Sequence, residues 1–583
     1  MAYVIGVDVG GTFTDAVLDD DAGTVLAAKS PSTPPDYSRG VLDVLGLLAE
    51  QLGRTLPEML AETHHIAHGT TSSLNALVMG NVPDVGFLTT KGHRDSIFIM
   101  NVEGRYLGRA PHELQNILGQ DKHGLLPKRH ALEVTERIDR DGNIVVALDE
   151  DKARASIRAL LADGVRAIAV SLLWSFRNPV HERRLREIVT EEDPEVFVAL
   201  SSEVSPRIRE FARNATTVMS TQIGPGLRDY LGALESSLRD HGLTGPLLVM
   251  QSNGGVALGR QLGHRNIIST DVGGTTFLAG LVVDGEPVRD TTTVINHHPI
   301  NVPTLRVDAI GSGGGAIAWL DSGGTLRIGP RSAQAVPGPA CYGNGGTEPT
   351  NTDANLVLGI LTERGLIGGR KPLSLELARQ AIDTQIAKPL GLTVEEAAAA
   401  IYAVQNAQTG DLLRKTVVEA GHDPRNFVVY AFDGAGPAHC AGYAAEVGVG
   451  EVVVPLGPVA SAFSAFGLAS SDIVLAAELS DPLVVPFDPQ RAERNFADLE
   501  KLVRDGLERQ GVTFEAVELH REIDMRYTMQ LAEVTAPVAG GALDTAAIED
   551  AAAAFEARYA EMYGKDAGFR EAGIHAITFR VRG

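Results

Sequence analysis

Asp8-Val9-Gly10-Gly11-Thr12-Phe13-Thr14-Asp15 is the stretch whose reading decides the fold. Apolar residues precede it from Val4 to Val7 and follow it from Ala16 to Leu18, so it reads as a turn between two buried strands. A polar turn, Asp19 to Gly23, comes next, and Thr24 to Ala28 returns as a third strand. Paired glycines allow close backbone approach, and successive N–H groups in such a turn form a concave anion site. Thr12 and Thr14 add hydroxyl donors, and Asp8, at the strand end, can hold a hydrated Mg2+. The device suits the phosphates of a nucleotide.

The same pentapeptide recurs. Ile267 to Thr270 leads into Asp271-Val272-Gly273-Gly274-Thr275, and an apolar run, Leu281-Val282-Val283, ends at the hairpin turn Asp284-Gly285. One Gly-Gly turn is weak evidence, whereas two identical pentapeptides in one local context point to two homologous halves, each presenting a phosphate loop to a shared cleft. Ile310 to Ala316, with Gly313 and Gly314, reads as a glycine run opening a helix and as a third anion site. Phe427 to Phe432 reads as a strand. It runs into Asp433-Gly434-Ala435-Gly436-Pro437-Ala438-His439 and a helix, a turn able to seat a nucleoside against backbone.

Two further polar turns stand at strand ends. His68-Gly69-Thr70-Thr71 precedes a helical stretch, so its hydroxyls either cap that helix or meet a substrate oxygen. Thr90-Lys91-Gly92-His93-Arg94-Asp95 follows the strand Val85 to Thr89, where α/β proteins place ligand contacts. His64 and His68 share one strand face and could ligate a metal, though packing is the commoner use. His439 is an acid/base candidate or a packed side chain, and Cys440 reads as a packing cysteine. Residues 210–220 and 227–238 read as two helices broken at Gly224-Pro225-Gly226. Ser374 is placed to cap a helix to Gln385, and Val394 to Val418 is a long helix. Pro482 to Pro489 reads as a linker to a smaller α+β tail.

Composition narrows the field. A net charge of −23 argues against nucleic acid or an anionic membrane as a general partner. Two cysteines, Cys341 and Cys440, cannot build a disulfide framework, so a cytoplasmic setting is expected. The first residues lack the pattern of a signal peptide, and no run of about 18 apolar residues reads as a membrane span.

With both Asp-Val-Gly-Gly-Thr loops, His68 to Thr71 and Gly434 to His439 in view, the chain resembles the ATP-dependent subunit of the hydantoinase/oxoprolinase family, a hydantoinase A-like chain. That family includes acetone and acetophenone carboxylase subunits. The resemblance extends over Thr89 to Asp95, Ile310 to Gly315, Pro337 to Gly343, Thr350 to Ala354, and Arg526-Tyr527 with Gln530. It implies an α/β, two-lobed actin/sugar-kinase-like ATPase fold with duplicated phosphate loops, plus a smaller α+β C-terminal domain. The expected division is residues 1–200 for the first lobe, 201–480 for the second and 481–583 for the tail.

The implied reaction is ATP-dependent phosphorylation of a carbonyl or enol oxygen. The substrate is a cyclic amide that is then hydrolysed or a ketone that is then carboxylated, and a hydantoinase B-like partner subunit completes the step. The implied cofactors are ATP and Mg2+, or another divalent metal, and the implied state is a hetero-oligomer. Gly10, Gly11, Thr12 and Thr14 match the first phosphate loop, Gly273, Gly274 and Thr275 the second, with Gly313 and Gly314 beside them. Gly434, Ala435, Gly436 and Pro437 match the adenosine loop. Asp8 and Asp271 would orient the metal or the attacking oxygen, with Thr12 a third catalytic candidate, and Thr70, Thr71, His93 and Arg94 would meet substrate. Residues Gly104 to Arg129 lean towards the ketone-carboxylase branch. The alternatives are a non-catalytic nucleotide-binding scaffold and a stand-alone small-molecule kinase.

Three departures accompany the match. The second loop reads Thr276-Phe277-Leu278 where the first has Phe13-Thr14-Asp15, so one carboxylate is missing. The path from Gly255 to Asp271 is short, and Met529 stands where glycine is usual after Arg-Tyr-x.

Overall fold

The computed structural model describes residues 3–583 apart from 12, 21, 34–35, 71–72, 74–75, 78–79, 81, 101–105, 107–113, 115–123, 251–261, 291–292, 296, 303, 335, 367–368, 370, 456, 531–532 and the side chains of 457–459. The chain packs as two compact units, each assembled from separate stretches. The first unit comprises residues 1–71, 233–289 and 305–472, and the second 72–232, 290–304 and 473–583.

In the first unit, β1 (Tyr3–Val9), β2 (Phe13–Asp20) and β3 (Val25–Pro31) form an antiparallel meander. Ile5, Val7 and Val9 alternate into the core, as period-two burial demands. After helix α1 (Tyr37–Gln51), β4 (Thr63–Thr70) and β5 (Leu247–Val249) add parallel to β1, for a spatial order β5-β4-β1-β2-β3. Asp36 caps α1, which buries Val41, Val44, Leu45 and Leu48 along one stripe.

The second half repeats this plan. Strand β6 (Ile267–Val272) pairs antiparallel with β7 (Phe277–Val283), which carries β8 (Glu286–Pro287) and β9 (Val307–Ile310) on its other edge. Strands β10 (Val428–Phe432) and β11 (Val452–Val453) add parallel beyond β6. Helices α2 (Val394–Glu419), α3 (Gly436–Val447) and α4 (Phe463–Ser470) follow in the same unit, and a Thr393–Glu396 capping box starts α2. Gly6 on β1 lies under α4, and a Cβ there would come within 1.9 Å of the Ala465 carbonyl oxygen.

The glycine run at 310–316 does not open a helix. It links β9 to a strand, Ala316–Leu320, because the N–H groups of Gly313, Gly314 and Gly315 donate to the carbonyls of Thr275, Gly273 and Gly274.

In the second unit, four parallel strands, Phe197–Leu200, Ala167–Ser171, Val85–Thr90 and Ala131–Val134, lie in that order. The helices Glu150–Ala162 and Val180–Glu192 bury Ile157, Leu160, Leu185 and Ile188 in the same core as Leu88 and Val170. A second sheet orders Ala476–Val484, Ile574–Arg582, His520–Tyr527 and Val534–Val538, with helices Pro489–Glu508 and Thr545–Tyr563. Arg207 pairs with Glu478 at 2.7 Å, and Arg580 with the buried Asp524 at 2.8 Å, so charges link residue 207 to this sheet.

Two local readings change. Residues 210–240 form one helix with Pro225 inside it, since packing offsets the lost backbone hydrogen bond. Gly224 is required there because the Phe197 ring lies 2.3 Å from where a Cβ would stand. Pro482 belongs to a strand and not to a linker, sitting where the register slips between Ser480 and Leu483, a bulge that costs no ladder bond. Among the described residues, no helix is long and apolar enough to cross a membrane.

Met529 has φ +68° and is 96% exposed, at the turn where Gln530 N–H donates to the Tyr527 carbonyl. The left-handed conformation explains why glycine suits this position. Met529→Gly is expected to stabilise the protein by about 0.5–1 kcal/mol, the relief of the side-chain clash less the glycine's extra unfolded-state entropy. Urea unfolding checks this, and a loss of stability would refute the strain.

Candidate functional site

The cross-strand register places Asp8 opposite Asp15 and Asp15 opposite Lys29, one charged rung across β1, β2 and β3. Two carboxylates directly opposite repel, and Lys29 offsets this by donating to Asp15 Oδ2 at 2.9 Å. Its Nζ also reaches Asp433 Oδ1 at 3.4 Å and the Ser461 carbonyl at 3.2 Å, and lies over the Phe13 ring at 5.2 Å. Asp433 follows β10 with φ +64°. In the second half Asp271 occupies the position of Asp8, at the end of its strand, and Ser464 of α4 donates to it at 3.3 Å.

These carboxylates crowd one another. Burial, then the Asp433 charge, push Asp8 up to about 6 against the pull of Lys29. Burial pushes Asp15 up to about 7, with Lys29 opposing. Asp271 is held well above the usual carboxylate range by burial and by the neighbouring Asp433 and Asp8 charges. Burial would lower the Lys29 ammonium, but the Asp15 and Asp433 carboxylates outweigh it and raise it.

Such a set fits Mg2+. Asp8 and Asp271 offer hard oxygen donors, and the carboxylates gathered around them, Asp15 and Asp433 included, outnumber the one lysine that offsets them. Among the described residues no three His, Cys, Asp or Glu side chains form a ready cation cage. Mg2+ at nucleotides needs none, since one or two carboxylates with water and phosphate complete its shell.

The two glycine hairpins are built alike. Gly10 N–H donates to the Phe13 carbonyl at 3.0 Å, and Gly273 N–H to the Thr276 carbonyl at 3.2 Å. Gly11, Gly274 and Thr275 are exposed at the turns. A Cβ on Gly273 would stand 3.0 Å from Asp433 Oδ2, a tight contact to which the carboxylate would have to yield. Thr14 is fully buried and its hydroxyl meets Ser32 Oγ at 3.1 Å, while Ser32 donates to the Gly10 carbonyl at 2.7 Å. Thr14 therefore braces the first turn from behind and does not present its hydroxyl at the surface.

Gly313 and Gly314 clamp the second hairpin with their N–H groups, and buried amides hold them in turn. Asn351 Nδ2 donates to the Gly313 carbonyl at 2.9 Å and to Gln405 Oε1 at 2.8 Å, and Thr352 Oγ1 donates to the Gly314 carbonyl at 2.8 Å. At the adenosine-loop candidate, Ala435 N–H donates to the Val272 carbonyl, and α3 begins at Gly436 with Pro437 in its first turn and no side-chain cap. The turn 434–437 is thus tied to the strand that carries Asp271.

The remaining candidates separate. Thr70 ends β4 and its hydroxyl lies 3.4 Å from the Val9 carbonyl, beside the first loop. Thr12 and Thr71 lie outside the described residues, as does most of Gly104 to Arg129. His93 and Arg94 follow the strand Val85–Thr90, in the second unit, where Glu133 accepts from Arg94 N–H at 3.4 Å. His68 is fully buried, and burial lowers it to about 4. His439 is likewise lowered to about 4 by burial. It accepts from Asn355 Nδ2 at Nε2, donates from Nδ1 to Asn406 Oδ1, and stacks on Tyr402, all signs of packing. Lys29 and Ser464 lie in no motif, and Asp433 opens the turn 433–439 as a residue to which sequence reading assigns no role. The one sequence signal was a lone lysine in an otherwise apolar strand, Val25-Leu26-Ala27-Ala28-Lys29.

Two sheets that share one core strand order, the second with one strand more at its edge, each with a glycine hairpin after its first strand and an aspartate at that strand's end, define an ATPase-type fold of the actin/sugar-kinase kind. Residues 4–193 match the hydantoinase/oxoprolinase N-terminal region, 255–477 hydantoinase/oxoprolinase itself, and 489–583 the hydantoinase/oxoprolinase C-terminal domain. The chain belongs to the hydantoinase/oxoprolinase family. It is 36% identical to the acetophenone carboxylase gamma subunit of Aromatoleum aromaticum over 99% of this chain and 84% of that one. It is 35% identical to caprolactamase subunit alpha of Pseudomonas jessenii, over 96% and 84%. The crystal structure of ATP-dependent caprolactamase from Pseudomonas jessenii superposes with a TM-score of 0.85 at 32% identity, over 99% of this chain and 87% of that one.

Proposed function

We infer that this chain is the ATP-dependent subunit of a hydantoinase-type enzyme. It phosphorylates the carbonyl or enol oxygen of a cyclic amide or a ketone, and a hydantoinase B-like partner subunit completes hydrolysis or carboxylation. The observation that carries this reading is the pair Asp8 and Asp271, set at the ends of equivalent strands beside equivalent glycine hairpins. The relatives support it. One is named for carboxylation of a ketone and another for opening a lactam, and both are named as subunits. Activation of a carbonyl oxygen would serve both chemistries. Two free thiols, Cys341 and Cys440, agree with a cytoplasmic enzyme.

Asp8 and Asp271 would hold Mg2+, which neutralises phosphate charge when bound. Gly11, Gly274 and Thr275, exposed at the turns, would offer their N–H groups to phosphate oxygens. Gly434 to Pro437 would seat the nucleoside against backbone. Catalysis by such residues would be positioning and charge stabilisation.

The test is calorimetric titration with Mg-ATP, then ATP turnover with lactams, and with ketones plus bicarbonate, in the presence of the partner subunit. Saturable binding and substrate-stimulated turnover are expected. Binding without any stimulated turnover would favour the scaffold reading, and stimulation without the partner would favour a stand-alone kinase.

A further inference from the structure

The duplication contains its own control for one residue. The first half carries the rung Asp8, Asp15, Lys29, and the equivalent rung of the second half is Asp271, Leu278, Ala309. The half with the second carboxylate has the lysine, and the half without it has neither. The hairpin itself therefore needs no such pair, since the second one forms with Leu278 facing Ala309. Lys29 instead reaches out of its own half, to Asp433 Oδ1 and the Ser461 carbonyl. Asp433 begins the turn to Gly434–Pro437 at φ +64° and sits against Gly273. One ammonium thus touches the first hairpin strand and the residue that abuts the second hairpin and starts the nucleoside turn.

We propose that Lys29, seated by Asp15, is a positioning residue of the nucleotide site: its ammonium fixes Asp433 against the second glycine hairpin and keeps that carboxylate from serving as a cation ligand. The missing carboxylate at Leu278 then marks a division of labour, because Asp15 serves the lysine and not the metal. This inference rests on the ATP reading above.

The experiment compares wild type with Lys29→Met and with the double variant Asp15→Leu/Lys29→Ala, which rebuilds the rung of the second half. Three quantities are measured: melting temperature, Mg-ATP Kd by calorimetry, and binding of Mn2+ alone by its paramagnetic resonance signal. Lys29→Met is expected to melt lower, since it strands Asp15, and the double variant to recover. Both are expected to bind Mg-ATP about tenfold or more weakly, the scale of one charge-assisted hydrogen bond. Both are also expected to bind Mn2+ more tightly, as Asp433 is released to it. A double variant with wild-type melting, wild-type Mg-ATP affinity and wild-type Mn2+ binding would show a purely structural rung and overturn the proposal. Asp433→Asn, which leaves the Asp15–Lys29 pair intact, tests it independently: weaker Mg-ATP binding is expected, and unchanged affinity refutes it. Failure of the wild-type chain to bind Mg-ATP would instead strike the ATP reading itself.

Discussion

Asp8→Asn is expected to lower kcat/KM by roughly 10³-fold, about 4 kcal/mol of transition-state stabilisation, while raising the melting temperature. The two effects have opposite signs for one reason. Asp8 is a carboxylate kept ionised where burial and Asp433 disfavour it, which pushes it up to about 6. An aspartate raised above its ordinary value destabilises the folded state more as pH climbs from about 4 to 6, and the penalty is constant above that. At pH 7 the asparagine relieves up to about 3 kcal/mol of that penalty. The gain should shrink as pH falls and vanish near 4. Asp271, raised by burial and by Asp433 and Asp8, is expected to behave alike. The measurement is steady-state turnover beside thermal unfolding at pH 7 and pH 4.5. Activity and stability falling together would mean that Asp8 is a structural partner and not a group reserved for phosphate chemistry.

The second large effect is steric. Gly6→Ala would put a Cβ 1.9 Å from the Ala465 carbonyl oxygen and 2.8 Å from Ala469 N. Both are backbone atoms of α4, so no side-chain rotation relieves the clash and the helix must move away from β1. That helix carries Ser464, which holds Asp271. The expected cost is about 3 kcal/mol or more, with nucleotide binding lost alongside. Gly46→Ala is the matched control: nothing lies within 4 Å of a Cβ in the middle of α1, so alanine there is expected to stabilise by up to about 1 kcal/mol. Thermal unfolding of both variants decides the matter, and a Gly6→Ala protein as stable as wild type would mean that α4 does not bear on β1.

The missing carboxylate of the second loop shows where a motif comparison stops. Leu278 reads as a loss only if Asp15 is a metal ligand, and the register shows Asp15 opposite Lys29, with Ala309 opposite Leu278. Thr14 makes the same point. In the sequence it is one more hydroxyl on a phosphate loop, whereas in the fold it faces inward to Ser32. The glycine run 310–316 looked like a helix start because local sequence does not reveal that its N–H groups already have acceptors on the second hairpin.

Both hairpins, the aspartates at their strand ends, the turn after β10 and the family they specify are legible in the order of residues alone. Each of these is a local pattern, in which a few neighbouring residues set φ, strand direction and turn. The tertiary structure alone decided that residues 72–232 pack with 473–583, and that Lys29 meets Asp433 across 404 positions of chain. Such partners are chosen by the whole packing of sheets and helices, and a charge or a glycine that answers to a distant backbone atom leaves no period or spacing of its own to read.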